Sequence, residues 1–169
     1  MIYHDQTPQT YVSVSSYTLA PEGAKVISVR GTKDKRQITG NFAVTLSGEF
    51  LPVQIIYQGK TKRCEPKVKF PSSFHVTHTH NHWSNTLTSV QFFEKILPPY
   101  MKSVQDSINN PKHKALLISD VFRAQHTQTL KDLMTANNCI LQKVPASMTH
   151  HLQPLDISIN GLTKKFMRN

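Results

Sequence analysis

The alternation of apolar and polar positions marks out most elements of this chain before any chemistry is considered. Met1–His4 is short and apolar enough for a strand, with Asp5 at its end. Gln6–Gly23 is rich in Thr, Ser and Pro and reads as a loop. Lys25–Arg30 alternates through Val26, Ile27, Ser28 and Val29 as a short strand, followed by a charged turn over Gly31–Arg36. Gln37–Leu46 carries Ile38, Phe42, Val44 and Leu46. After Ser47-Gly48, Phe50–Tyr57 returns with Leu51, Val53, Ile55 and Ile56. Two β-rich runs around a short Gly-containing link predict an antiparallel hairpin. Lys60–Asn85 shows no period and is expected to be irregular.

Downstream the period changes. Leu87, Val90, Phe93, Leu97, Tyr100/Met101 and Val104 recur every three or four residues, which predicts a helix over Thr86–Val104. Pro98-Pro99 is expected to kink or break it near Leu97. Lys114–Ser119 holds the continuous apolar run Ala115-Leu116-Leu117-Ile118, typical of a strand buried on both faces, and ends directly at Asp120. Thr127–Asn137 predicts a second helix with Leu130, Leu133 and Met134 on its apolar face, and Ile140–Val144 another strand. Pro154 suits the first position of a last helix, on which Leu155, Ile159, Leu162 and Phe166 form one stripe. The order of strand, hairpin, helix, buried strand, helix, strand and helix predicts a mixed α/β sheet with helices on its faces. Ligands collect at the carboxyl ends of central strands in such sheets, and Asp5 and Asp120 both stand at such ends.

Composition narrows the function. The 169 residues amount to one ordinary domain, large enough to bury a core without staples. Lys and Arg number 20 against 10 Asp and Glu, a formal charge of +10. That excess favours a polyanionic partner, nucleic acid before an anionic membrane surface, although its scatter over short clusters also suits a plain solvated surface. No apolar run reaches the roughly 18 residues of a membrane-spanning helix, and the N-terminus has no signal-peptide pattern. Cys64 and Cys139 are too few for a disulfide framework and are expected to be free.

With acids so scarce, each can be placed. Asp5 and Asp120 end predicted strands, and Asp156 sits in the first turn of the last helix, at its positive end. Three converging carboxylates repel one another unless divalent cations lie between them. Mg²⁺ suits oxygen ligands, and two such ions about 3.5–4 Å apart can polarise a phosphate and activate a hydroxyl. Each acid singly also reads as a helix cap or turn residue. Asp156, Asn160 and Lys164 line one polar helix face, which is either solvated or set beside a scissile phosphate. His75, His78, His80 and His82 crowd one loop-like stretch but lack the second pair of ligands of a zinc finger, and read as polar loop residues. Trp83 reads as a packed anchor for that loop before a base-stacking platform.

Taken in order, these segments resemble the DDE superfamily endonucleases of the pogo/Tigger/jerky group. Asp5-Gln6-Thr7 is similar to the first catalytic motif, and Lys33–Thr39 with Leu46–Pro52 and Ile56–Thr61 to the hairpin region. His82-Trp83-Ser84-Asn85 resembles the segment before the first helix, and Leu116–Gln125 the second-Asp motif. Val144-Pro145-Ala146 and Leu152-Gln153-Pro154-Leu155-Asp156 resemble the third, with Asp120 and Asp156 a compatible 36 positions apart. The resemblance implies an RNase H-like fold, here a mixed five-stranded sheet with helices on both faces. It implies transposase-type DNA cleavage and strand transfer with two Mg²⁺ (or Mn²⁺) ions. Asp5, Asp120 and Asp156 would be the catalytic residues and metal ligands, with Arg123, Asn160, Lys164 and Lys165 as nucleic-acid contacts. The implied partner is DNA, with copies assembling on it in the nucleus; no membrane and no small-molecule cofactor is expected. The whole of 1–169 reads as one catalytic domain without the helix-turn-helix region usual upstream. The alternative is a catalytically inactive, domesticated DNA- or chromatin-binding protein.

Overall fold

The computed structural model describes residues 1–11, 19–25, 36–120, 127–145, 148 and 153–166. The strand expected over Lys25–Arg30 lies almost wholly outside the described residues.

Strand β1 (Ile2–Thr10) runs antiparallel to β2 (Gln37–Thr45), which runs antiparallel to β3 (Val53–Gln58), as the hairpin pattern predicts. β1 is longer than its apolar start suggests. It pairs with β2 from Ile2↔Thr45 to Thr10↔Gln37, so the Thr- and Gln-rich stretch after Asp5 is strand, and Asp5 lies in the middle of β1. Cross-strand pairing overrides weak local propensity here. The sheet then gains a strand beyond the expected five. Phe74–Thr79 forms β4, parallel to β3 in the register Val53↔Phe74 to Gln58↔Thr79. Its His and Thr residues disguise a period-2 edge strand.

Helix α1 (Thr86–Ser107) leads to β5 (Ala115–Ser119), α2 (Gln128–Ala136) and β6 (Cys139–Lys143). The mixed sheet has the order β4-β3-β2-β1-β5-β6, with β1, β5 and β6 mutually parallel. α1 starts on an Asn85 capping box and runs unbroken through Pro98 and Pro99. Both prolines are exposed, as are Glu94 and Lys95, the residues four positions back whose carbonyls lose their helical donors. The opposite face, with Phe92, Phe93, Ile96, Leu97 and Met101, is buried on both sides of the prolines and holds the helix to the sheet. Ile2, Ala43, Leu51, Leu117, Leu130 and Met134 complete that core.

The other sheet face carries the last helical segment, a π-helical turn (Leu155–Ile159) running into α3 (Asn160–Phe166). With Tyr3 and Ile118 it borders a cavity of about 500 Å³, also lined by Val144, Pro154 and Ile157. The expected stripe is not buried as one. Leu155 is buried, whereas Leu162 is 65% and Phe166 82% exposed. The Asn160 N–H bonds to Leu155 O, five residues back, and this wider turn displaces later residues from the α-helical period.

The α1 cap is local and testable. Asn85 Oδ1 accepts from the Thr88 N–H at 2.9 Å, and Thr88 Oγ1 accepts from the Asn85 N–H at 2.9 Å. Asn85→Ala is expected to cost about 1 kcal/mol in urea unfolding, the usual worth of an N-cap side chain. An unchanged midpoint would show that packing alone starts α1.

Candidate carboxylate site

Side-chain alternation along β1 divides the sheet's chemistry. Ile2 and His4 point into the α1 core; Tyr3 and Asp5 point to the face covered by the last helical segment. His4 packs against the rings of Phe92 and Phe93, with centroids 5.1 and 4.9 Å away. Neither of its ring nitrogens has a hydrogen-bond partner, and burial holds its pKa down to about 3. His4 is therefore a neutral core residue.

β1 and β5 pair as Ile2↔Leu117, Tyr3↔Ile118 and His4↔Ser119. Asp5 and Asp120 each follow the last pair of this ladder, so the register carries them past it side by side. Asp5 is 7% exposed, and Asp120 half-buried at the carboxyl end of β5. Asp156, in the π-helical turn, reaches Asp5 from across the face.

Asn160 joins two of these acids. Its Nδ2 donates to Asp5 Oδ2 and, at 2.9 Å, to Asp156 Oδ1. Gln153 adds a second amide, donating through Nε2 to His4 O at 3.1 Å and reaching Asp5 Oδ1 at 3.5 Å. Burial pushes the Asp5 pKa up to about 7, reinforced by the charge of Asp156 and a hydrogen bond with it; the Gln6 N–H and Asn160 act the other way. A group of this kind gains most from a nearby cation. Oxygen donors from Asp5 and Asp156, with Asp120 on the next strand, suit a hard divalent ion. Buried Asn160 Oδ1 and Gln153 Oε1, which have no hydrogen-bond partner, add spare acceptors. Among the described residues, however, no three His, Cys, Asp or Glu side chains are gathered into a set that could hold a metal.

The remaining candidates are dispersed. Asn160 is 3% exposed, with its amide spent on the acids. Lys164 is half-buried and Lys165 exposed in the last turn of α3, and Arg123 lies outside the described residues. Gln153 escaped sequence reasoning as a site residue, although it stands three positions before Asp156; a lone glutamine carries no charge signal. The histidines separate: His75 Nδ1 meets Lys95 Nζ at 2.7 Å, His78 Nδ1 meets Glu65 Oε1 at 2.7 Å, and His82 Nδ1 meets Thr39 Oγ1 at 3.1 Å. Trp83 stacks on His82 but is 52% exposed, so it does not anchor the core.

The raised Asp5 pKa sets a pH dependence. Between about pH 4 and 7 the folded chain keeps a proton that the unfolded chain has released, so this group's stabilisation is full below pH 4 and fades as pH rises through 7. His4 acts oppositely, losing stability as pH falls below 6.5. Comparison with Asp5→Asn removes the His4 contribution. Without divalent ions, Asp5→Asn should gain thermal stability over wild type from pH 5 to pH 8; a pH-independent difference would show that Asp5 titrates normally.

Residues 36–169 match the family model described as DDE superfamily endonuclease, a span that holds Asp120 and Asp156 and begins after Asp5. Over 156 residues the chain is 27% identical to the human protein "Pogo transposable element with KRAB domain" and to its mouse counterpart, covering 92% of this chain and 24% of each relative. It thus spans about a quarter of the length of these curated relatives. Among solved structures, a chain of the pre-cleavage Mos1 transpososome superposes with a TM-score of 0.64 at 11% identity, over 98% of this chain and 42% of that one. The Mos1 mariner paired end complex with Mn gives 0.59 at 11%, over 98% and 41%. At such identity the likeness is one of fold, and the fold is RNase H-like. With the family match extending over most of its length, the chain belongs to the DDE superfamily endonucleases.

Proposed function

We propose that this chain is the catalytic domain of a divalent-metal-dependent DNA endonuclease and strand transferase of the pogo type. The observation that carries the reading is Asn160 joining Asp5 to Asp156, 151 positions apart, on the sheet face where β1 and β5 bring Asp5 level with Asp120. Asp5, Asp120 and Asp156 would hold Mg²⁺ or Mn²⁺, two ions in the full reading. Bound there, the ions would neutralise the crowded acids and polarise a phosphate.

The chain's own residues do the rest. Asp5 and Asp156 present oxygens to a shared space, and the Asn160 amide orients both. Lys164, Lys165 and Arg123 would contribute to holding the DNA backbone within a protein of net charge +10. DNA as the partner is supported by the Mos1 relatives, which were solved as a transpososome and a paired-end complex. Assembly of copies on DNA and a nuclear location follow from the same reading.

A second reading has its own support. The lack of a gathered three-acid set among the described residues favours an inactive DNA- or chromatin-binding derivative. The relatives, in which pogo sequence is joined to a KRAB domain, suit it as well.

Nicking of supercoiled plasmid in Mg²⁺ or Mn²⁺ separates the two. The wild-type chain should nick, chelator should stop it, and Asp120→Ala should slow it by more than about 100-fold, beyond the loss of an outer-sphere partner. Equal rates for wild type and Asp120→Ala would remove Asp120 from the chemistry. Steeply salt-dependent DNA binding without any nicking would establish the second reading.

A further inference from the structure

The carboxyl ends of β1, β3 and β4 and the start of β2 lie at one end of the sheet, because those three strands run parallel and β2 runs against them. The Gly59 N–H donates to Thr79 O at 2.8 Å, which sets the link after β3 beside the end of β4. Lys60, Lys62 and Arg63 follow Gly59 and are all exposed. Where β2 starts, the Arg36 guanidinium lies over the Tyr11 ring, 5.2 Å from its centroid. The one acid between Gly59 and Asn85 is Glu65, and it meets His78 Nδ1 at 2.7 Å. Among the described residues this end of the sheet is cationic.

Trp83 follows β4 at the same end. It is the one tryptophan of the chain and is 52% exposed. An indole is among the largest apolar groups a fold can bury. This one is left in water and is nevertheless held in place. Thr79 Oγ1 donates to Trp83 O at 2.9 Å, and the Trp83 N–H donates to Asn81 Oδ1 at 3.3 Å. The ring stacks on the His82 imidazole, with centroids 5.3 Å apart and planes 26° from parallel. His82 is itself buried, with Nδ1 3.1 Å from Thr39 Oγ1. Its backbone has φ 58°, in the left-handed region that non-glycine residues seldom enter. Such strain persists where the surroundings hold it, and it clusters at binding sites. Among the described residues His82 is the only ring stacked on Trp83, so one face of the indole is backed and the other is left to solvent.

A flat ring fixed in water on a cationic surface suits unpaired nucleobases. A base offers a π-face to the indole, and its flanking phosphates are drawn to the positive charge. In duplex DNA those faces are covered by neighbouring base pairs, so the ring selects unpaired strand. A protein partner would call for an apolar surround, whereas His80, Asn81 and Asn85 beside Trp83 are exposed and polar. Because the indole is already immobilised, stacking costs it little further freedom.

We propose that Trp83, backed by His82, is a stacking platform for an unpaired base of DNA, on a sheet end whose cations attract the flanking phosphates. This rests on the reading of DNA as the partner and does not depend on strand cleavage.

The single tryptophan is its own reporter. With chelator present, so that no strand is cut, an oligothymidylate of about 12 nucleotides, within the usual span of a single-strand binder, is titrated into the full chain. Trp83 emission should show a saturable loss. An abasic oligomer of the same length, with phosphates but no bases, should leave the emission unchanged. By anisotropy of a labelled strand, Trp83→Ala should bind about 5- to 150-fold more weakly, the usual worth of one stacked base. Trp83→Phe should recover part of that loss, and duplex affinity should hold in both variants. The hydrogen bonds of residue 83 are made by its backbone, so both variants keep them. The wild-type titration needs no variant and decides the question should Trp83→Ala fold poorly. Single-strand binding without quenching, equal quenching by the abasic oligomer, or equal weakening of single strand and duplex overturns the platform and leaves DNA as the partner. Absence of binding to either form at low salt removes DNA as the partner, and the platform with it. A blue shift of Trp83 emission as the protein alone is concentrated would show a second copy covering the indole, and that also overturns the proposal.

Discussion

A carboxyl group buried on the central strand of a sheet is the constraint around which this chain is arranged. Asp5 sits between β2 and the end of the β5 ladder, shielded from water, with a second acid against it. Such a group is stable only when it is protonated, hydrogen-bonded or compensated by positive charge. The last helical segment delivers the hydrogen bonds, since Gln153 and Asn160 flank the turn that also carries Asp156. One turn therefore brings both the repulsion and the groups that restrain it.

The opposite face of β1 shows how the sheet can tolerate this. Residues of one parity, Ile2 and His4, enter an apolar core closed by α1, and even the His4 imidazole is held neutral there. The other parity is left for chemistry. α1 secures the division because its buried side spans the two prolines without interruption, so the core does not depend on every helical hydrogen bond. Polar function on one face and hydrophobic cohesion on the other follow from a side-chain period of two.

The π-helical turn links fold to site. With Asn160 N–H bonded to Leu155 O, Asn160 comes in under the sheet while Leu162 and Phe166 swing toward solvent. An unbroken α-helix with Leu155, Ile159, Leu162 and Phe166 as its buried stripe would trade that amide contact for packing. Two acids far apart in sequence, Asp5 and Asp156, are brought together in this way, through the Asn160 amide that the turn carries.

Much of this was legible in the linear order of residues. Hydrophobic periods located β2, β3, α1, β5, α2 and β6 to within a few positions, because each buries its own apolar face and displays that period locally. The acids of the three motifs could be singled out because a basic chain has few of them. Other features had no local signal. The second half of β1 is strand only because β2 lies beside it, and β4 only because β3 does. α1 survives its prolines because a sheet supports its other face. Asn160 stood out as a polar residue sharing a helix face with Asp156 and as a candidate DNA contact, but nothing local showed that its amide would join Asp156 to Asp5; Gln153 carried no signal as a site residue. By itself, the amino-acid order determined which segments are apolar and where scarce charges stand, since those are properties of single residues and their near neighbours. Only the tertiary structure decided which carboxylates meet and which amides restrain them, because contacts across about 150 residues are set by strand register and by one turn of non-standard pitch.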